Sequence, residues 1–188
     1  MEQILATKFF IPPLRRKALP RQRLFSILDR GCEMACSLFL LSAPAGTGKT
    51  TLLTSWLRER RLQDEVVWLS LDAEDNDAAR FWAYFFEAVR RKLPQIDIDA
   101  SLVYRPSATE GGIRSLLSVF LNATVSLNPE KPLVVVLDDF HLVQSPEISA
   151  DMAYLIEQAP EHFHLFLLSR TDPLFPLSRF RLEGLMVE

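Results

Sequence analysis

The sequence predicts a three-layer α/β sandwich, with a mostly parallel central sheet and helices on both faces. Two observations carry this. Four short, nearly unbroken apolar runs, Leu38–Ser42, Val66–Leu71, Leu133–Leu137 and His164–Ser169, are too short for helices and read as strands buried on both faces. Between them lie segments whose apolar residues recur at helical spacing.

The elements follow in order. Residues 1–20 hold Pro12, Pro13 and Pro20 and read as an extended N-terminal arm; residues 21–188 read as one domain. Arg21–Arg30 reads as a short helix with Leu24, Ile27 and Leu28 on one face and Gly31 as its stop. After the first strand, Thr50–Arg60 turns Leu52, Leu53, Trp56 and Leu57 inward and Arg58, Glu59, Arg60 and Arg61 outward. The acidic stretch Asp72–Asp77 reads as a loop, with Asp77 placed to cap the following helix. That helix, Ala78–Leu93, repeats Phe81, Trp82, Phe85, Phe86, Val89 and Leu93 at helical spacing, a core-packing stripe. Residues 96–106 read as irregular. Thr109–Leu127 and Pro146–Gln158 read as helices, and Leu185–Val187 as the start of a fifth strand.

Composition narrows the function. The 188 residues are 48% hydrophobic and 24% charged, with net charge −3, which gives no general reason to expect nucleic acid or an acidic membrane as partner. Arg15, Arg16, Lys17, Arg21 and Arg23 make a local basic segment, either a solvated face or a contact with nucleotide or partner. No run of eighteen apolar residues suggests a membrane span, and the first residues lack the order of a signal peptide. Cys32 and Cys36 are spaced as if one helical turn apart and read as reduced, structural thiols; a cytoplasmic protein is expected.

In parallel sheets, ligands bind beyond the carboxyl ends of the strands. After the first strand stands Ala43-Pro44-Ala45-Gly46-Thr47-Gly48-Lys49-Thr50, the Walker A spacing with alanine at its first glycine position. Small residues let backbone amides approach phosphate oxygens, and the helix N-terminus adds its dipole. Ala45, Gly46, Thr47, Gly48, Lys49, Thr50 and Thr51 are therefore the candidate nucleotide ligands. Lys49 has the charge to neutralise the β and γ phosphates, and the Thr50 hydroxyl is a hard ligand for Mg²⁺.

After the third strand come Asp138 and Asp139, the Walker B pattern. Asp138 is expected to bind magnesium through water, the alternative for such a pair being a helix cap or a solvated loop. Asp139 is either the group that orients or deprotonates an attacking water, or part of a pair that solvates the loop. Arg170 ends the fourth strand. In P-loop NTPases of the ASCE type, which carry an extra strand between those of the two Walker motifs, this end faces the γ phosphate, so Arg170 is a candidate catalytic sensor. A surface salt bridge is the alternative. Asp72, Asp75, Asn76 and Asp77 lie near the same rim. His141 has two readings, a place at the site or in a loop, while His162 and His164 flank Phe163 on an edge of the fourth strand.

Further residues carry a resemblance: TKFFIPP at 7–13, SAPAGTGKTTL at 42–52, WLSLDAEDNDAARFWAYF at 68–85, VVVLDDFHLV at 134–143 and LLSRTDPLFPLSRFRLEGLMVE at 167–188. In this order they resemble the STAND-class ATPase domain of MalT-like, large LuxR-type transcriptional regulators. Thr47 and Phe140 depart from it, standing where many relatives have tyrosine. The resemblance implies a switch, resting with ADP and self-associating with ATP, with slow hydrolysis. It gives Gly48, Lys49 and Thr50 Walker A roles, Asp138 and Asp139 Walker B roles, and Arg170 a sensor role. It also implies that a complete regulator continues into a winged-helix element, helical repeats that sense an inducer, and a C-terminal helix-turn-helix that binds DNA, none of which lies in this chain. Two other classes stay open: an AAA-type loader or remodelling ATPase, and an interaction module whose nucleotide site has decayed.

Overall fold

The computed structural model describes residues 4–14, 20–63, 66–96, 98–99, 102–103, 112–128 and 131–188. Arg15, Arg16 and Lys17, most of the stretch expected to be irregular after Ile96, and the helix start expected at Thr109 lie outside these residues.

Five parallel strands form the sheet: β1 (Leu38–Ser42), β2 (Val66–Ser70), β3 (Leu133–Asp138), β4 (Phe163–Ser169) and β5 (Met186–Val187), in the spatial order β2-β3-β4-β1-β5. The extra strand expected between the Walker strands is β4. The helices are α1 (Gln22–Glu33), α2 (Lys49–Glu59), α3 (Ala78–Lys92), α4 (Gly112–Val125), α5 (Pro146–Glu157) and α6 (Leu177–Leu182).

The strands read as continuous apolar runs because alternate residues enter two different cores. Leu38, Leu40, Val67, Leu69, Val135, Leu137, Leu165 and Leu167 pack with α3, α4, α5 and α6. Phe39, Val66, Trp68, Val134, Val136, Phe166 and Leu168 pack with α1 and α2. A strand with side chains on both faces of a covered sheet has no polar face to show. The aromatic stripe of α3 is core: Phe81, Trp82, Phe85 and Phe86 are all buried.

Three local expectations are corrected. The N-terminal segment is not wholly extended, because Ala6–Phe9 forms a 3-10 turn. Its Phe9 ring lies 6.0 Å from that of Tyr84, and the Leu5 N–H donates to the Tyr84 hydroxyl. Gly31 does not stop α1, which runs to Glu33. A Cβ at Gly31 would stand 2.5 Å from the Phe39 ring, so this glycine serves the close approach of α1 to β1.

Cys36 is not on the same helix as Cys32. The chain leaves α1 and turns through Ala35 at φ 54° before reaching Cys36, whose thiol donates to the Gly184 carbonyl at 3.5 Å. Both thiols are free, and burial pushes Cys32 up to about 12. His164 is the second residue of β4, which runs between β3 and β1, and its buried ring donates from Nδ1 to the Cys36 carbonyl at 2.9 Å.

Candidate functional site

Because β3, β4 and β1 are neighbours, the loop after β1, Asp138-Asp139 and Arg170 open on one rim. Ala45, Gly46, Gly48, Lys49, Thr50, Thr51, Asp138, Asp139 and Arg170 together line a cleft of about 250 Å³. Thr47 instead lines a second, partly apolar cavity of about 420 Å³, which shares Lys49 and extends to Arg21, Leu24, Leu41, Leu52 and Asp172.

The loop between β1 and α2 is shaped by two glycines in the left-handed region, Gly46 at φ 77° and Gly48 at φ 88°. Gly48 is the N-cap of α2 and brings no side chain to its first turn. The amides there, with the helix dipole behind them, suit an anion. Thr47 braces the loop by donating from Oγ1 to the Pro44 carbonyl at 2.9 Å. Arg21 donates to the Thr47 carbonyl at 3.1 Å, so of the described basic N-terminal residues it is Arg21 that reaches the loop. Its sequence signal was the basic cluster, which could not say which member points inward. Lys49 donates from Nζ to the carbonyls of Ala43 at 2.5 Å and Pro44 at 3.2 Å.

On the facing side, Thr50 Oγ1 donates to Asp138 at 3.1 Å (Oδ2) and 3.3 Å (Oδ1). Burial, then the neighbouring charge of Asp139, push Asp138 above the usual carboxylate range, against the pull of Thr50, the Asp139 amide and Lys49. A hydroxyl and a carboxylate, both hard oxygens and held side by side, are the donor set that a small divalent cation takes, so this corner fits magnesium. A cation there would favour the ionised form of Asp138.

Asp139 is half exposed and sits at φ 58°, a strained place for a residue with a Cβ. Its amide donates to Asp138 Oδ1 at 3.0 Å, and its carboxylate lies 4.0 Å from Arg170 Nη2 and 3.8 Å from His141 Nδ1. Burial lowers the His141 pKa, with the nearby charge of Arg170 acting the same way, so the ring is biased towards its neutral form. Of its two sequence readings, the structure places His141 beside Asp139.

The acids after β2 stand apart from the cleft. Asp77 caps α3, accepting from the Arg80 amide at 2.8 Å, as the sequence predicts. The loop expected at 72–77 is a 3-10 turn, Ala73–Asn76, closed by a capping box between Asp72 and Asp75. Asp75 is fully buried. It accepts from Lys8 Nζ at 2.5 Å, Arg80 Nε at 3.2 Å and the Asp72 amide at 2.8 Å. Lys8 also lies 2.7 Å from Asp72. Burial works against the charge of Asp72, but the Lys8 ammonium, the Glu74 amide and the charge of Arg80 together outweigh it and the pKa is lowered. These pairings were invisible in the sequence, since Lys8 and Asp75 are 67 residues apart.

The family model of the AAA ATPase domain matches residues 14–168. Among the described residues, no helix is long and apolar enough to cross a membrane. Since the match runs from ahead of α1 almost to the end of β4 and takes in every candidate site residue except Arg170, the chain belongs to the AAA ATPase domain family, a nucleotide-binding ATPase module.

Proposed function

We propose that this domain is an ATP/ADP-operated switch, the regulatory ATPase of a MalT-like, LuxR-type transcriptional regulator of the STAND class. The observation that supports it best is the pairing, across one cleft, of the Gly46–Gly48 cradle with the Thr50–Asp138 oxygens, beside a larger cavity with room for a base and sugar.

In this reading the amides of the loop and of the first turn of α2 hold the phosphates, from Ala45 through Thr51. Lys49 leaves the two loop carbonyls and neutralises the β and γ oxygens. Thr50 and Asp138 hold Mg²⁺, which supplies charge neutralisation at the phosphates. Asp139 takes a hydrogen bond from the attacking water and orients it, and Arg170 faces the γ phosphate with a planar fork of donors. Among the described residues the guanidinium nearest Asp139 is that of Arg170, half exposed and 4.0 Å away. Such loosely held groups suit slow turnover; P-loop enzymes without a well-placed arginine run on the order of 10⁻⁴ per second. Slow hydrolysis suits a timer, with the ATP state able to self-associate in the longer regulator, DNA bound through a C-terminal region, and the protein at work in the cytoplasm.

Calorimetric titration with Mg-ATP and Mg-ADP, beside Lys49→Ala, tests the reading. Saturable binding that the variant loses, with tighter ADP than ATP binding, is the expected result. No binding of either nucleotide by the wild type, also in a form extended beyond Glu188, would point to a decayed interaction module. Fast turnover stimulated by a macromolecule would instead favour a loader or remodelling ATPase.

A further inference from the structure

The turn that presents Asp139 is held at its far end by a residue from another part of the chain. Asp139 begins the turn at φ 58°, and Phe140–Leu142 forms one 3-10 turn. The Leu142 amide donates to the Asp139 carbonyl at 3.1 Å and the Val143 amide to that of Phe140 at 3.0 Å. The next amide, Gln144, donates to Asn76 Oδ1 at 2.7 Å, across 68 residues of sequence. A residue in the left-handed region persists only where its surroundings over-determine it, and this side chain closes the segment that keeps Asp139 there.

Asn76 is itself fixed. It is the last residue of the 3-10 turn Ala73–Asn76, whose capping box uses Asp75, and Asp75 is the buried partner of Lys8. Phe81, early in α3, adds an edge contact to Phe140 with ring centroids 6.4 Å apart. A continuous path of short contacts therefore runs from Lys8 through Asp75 and Asn76 to Gln144.

We propose that Asn76 is a positioning residue for Asp139, and that Lys8 acts on the same turn at one remove. The N-terminal segment then sets how well the water-orienting carboxylate is held, without touching nucleotide. This rests on the role given to Asp139 above.

The test combines amide hydrogen exchange of residues 139–145 with single-turnover ATP hydrolysis and Mg-ATP binding. Asn76→Ala should raise exchange at Gln144 at least tenfold. It should slow hydrolysis at least fivefold, with Kd for Mg-ATP within twofold of wild type. Asn76→Asp, which keeps the acceptor oxygen, should restore both to within threefold. Lys8→Met should raise the same exchange by a smaller factor. Unchanged exchange in Asn76→Ala, or faster exchange with an unchanged hydrolysis rate, overturns the proposal. So does Asp139→Asn hydrolysing at the wild-type rate. That result refutes the role of Asp139 itself, and it is distinguishable because the exchange change in Asn76→Ala would remain.

Discussion

Two clusters of charge lie at the carboxyl rim of this sheet, and they are built in opposite ways. Around Asp75 the groups are buried and close: Lys8 at 2.5 Å, Arg80 Nε at 3.2 Å, the Asp72 amide at 2.8 Å. In the cleft after β1, Asp139 and Arg170 are half exposed and 4.0 Å apart, and Lys49 rests on two neutral carbonyls. The residue types are the same. The difference lies in whether each charge has met its counter-charge within the fold. A buried carboxylate with all its bonds made is part of the framework, while a cation held only by carbonyls keeps its charge for a ligand.

The largest effect expected from breaking this contrast is at Asp75. Asp75→Ala takes from the buried ammonium of Lys8 the closer of its two carboxylates, and breaking a buried pair in this way costs about 3–5 kcal/mol. Urea unfolding should show that loss. A loss under about 1 kcal/mol would mean that the cluster is no more structural than an exposed pair.

Lys49→Ala is the converse. Charge-assisted hydrogen bonds are each worth about 1.5–3 kcal/mol, so Mg-ATP affinity should fall by about tenfold to a hundredfold or more. Stability should move little, because the hydrogen bonds lost go to two neutral carbonyls, one part-buried and one exposed, and leave no buried charge behind. A large drop in Tm together with the lost binding would place Lys49 in the framework and erase the contrast.

A smaller effect is expected at Asp77, two residues beyond Asp75 and exposed. It accepts one bond from the Arg80 amide, and losing an N-cap costs about 1 kcal/mol. Asp77→Ala should therefore cost much less than Asp75→Ala, and Asp77→Asn should recover most of it. Equal losses at the two positions would show that the acidic turn, rather than the buried pair, holds the stability.

These cases also show what was legible in the sequence. The turn between β1 and α2 could be read because its pattern is local: eight consecutive residues, with glycines where the backbone takes the left-handed region and a lysine and a threonine at the helix start. The strands could be read because burial on both faces leaves an unbroken apolar run. Asp77 was legible because a cap acts within its own helix. Asp75, Gly31 and Cys36 were not, since their roles depend on Lys8, Phe39 and Gly184, which only the fold brings near. Likewise, nothing in DDFHL shows that Asp139 is in the left-handed region or that Asn76 fastens the turn after it. The short helix α6, between Pro176 and Gly184, gave no periodic signal of its own.

The subtlest test concerns a buried titratable group with a carbonyl, not an opposite charge, as its partner. Burial depresses the pKa of His164, more than the hydrogen bond to the Cys36 carbonyl raises it, and nearby His162 lowers it further. The unfolded chain takes up this proton near pH 6.5, while the folded one refuses it until lower pH. Stability is thus fully present above about pH 6.5 and falls as pH drops from there towards the depressed value, by at most about 1.4 kcal/mol per pH unit. His141 is shifted the same way and adds its own part to this limb. His164→Gln keeps an N–H donor but has no titrating proton, so urea unfolding between pH 7 and pH 5 should show a shallower acid limb than wild type. An unchanged slope would mean that His164 takes up its proton in the folded state, and that a buried group here tolerates charge without the kind of partner that Asp75 has.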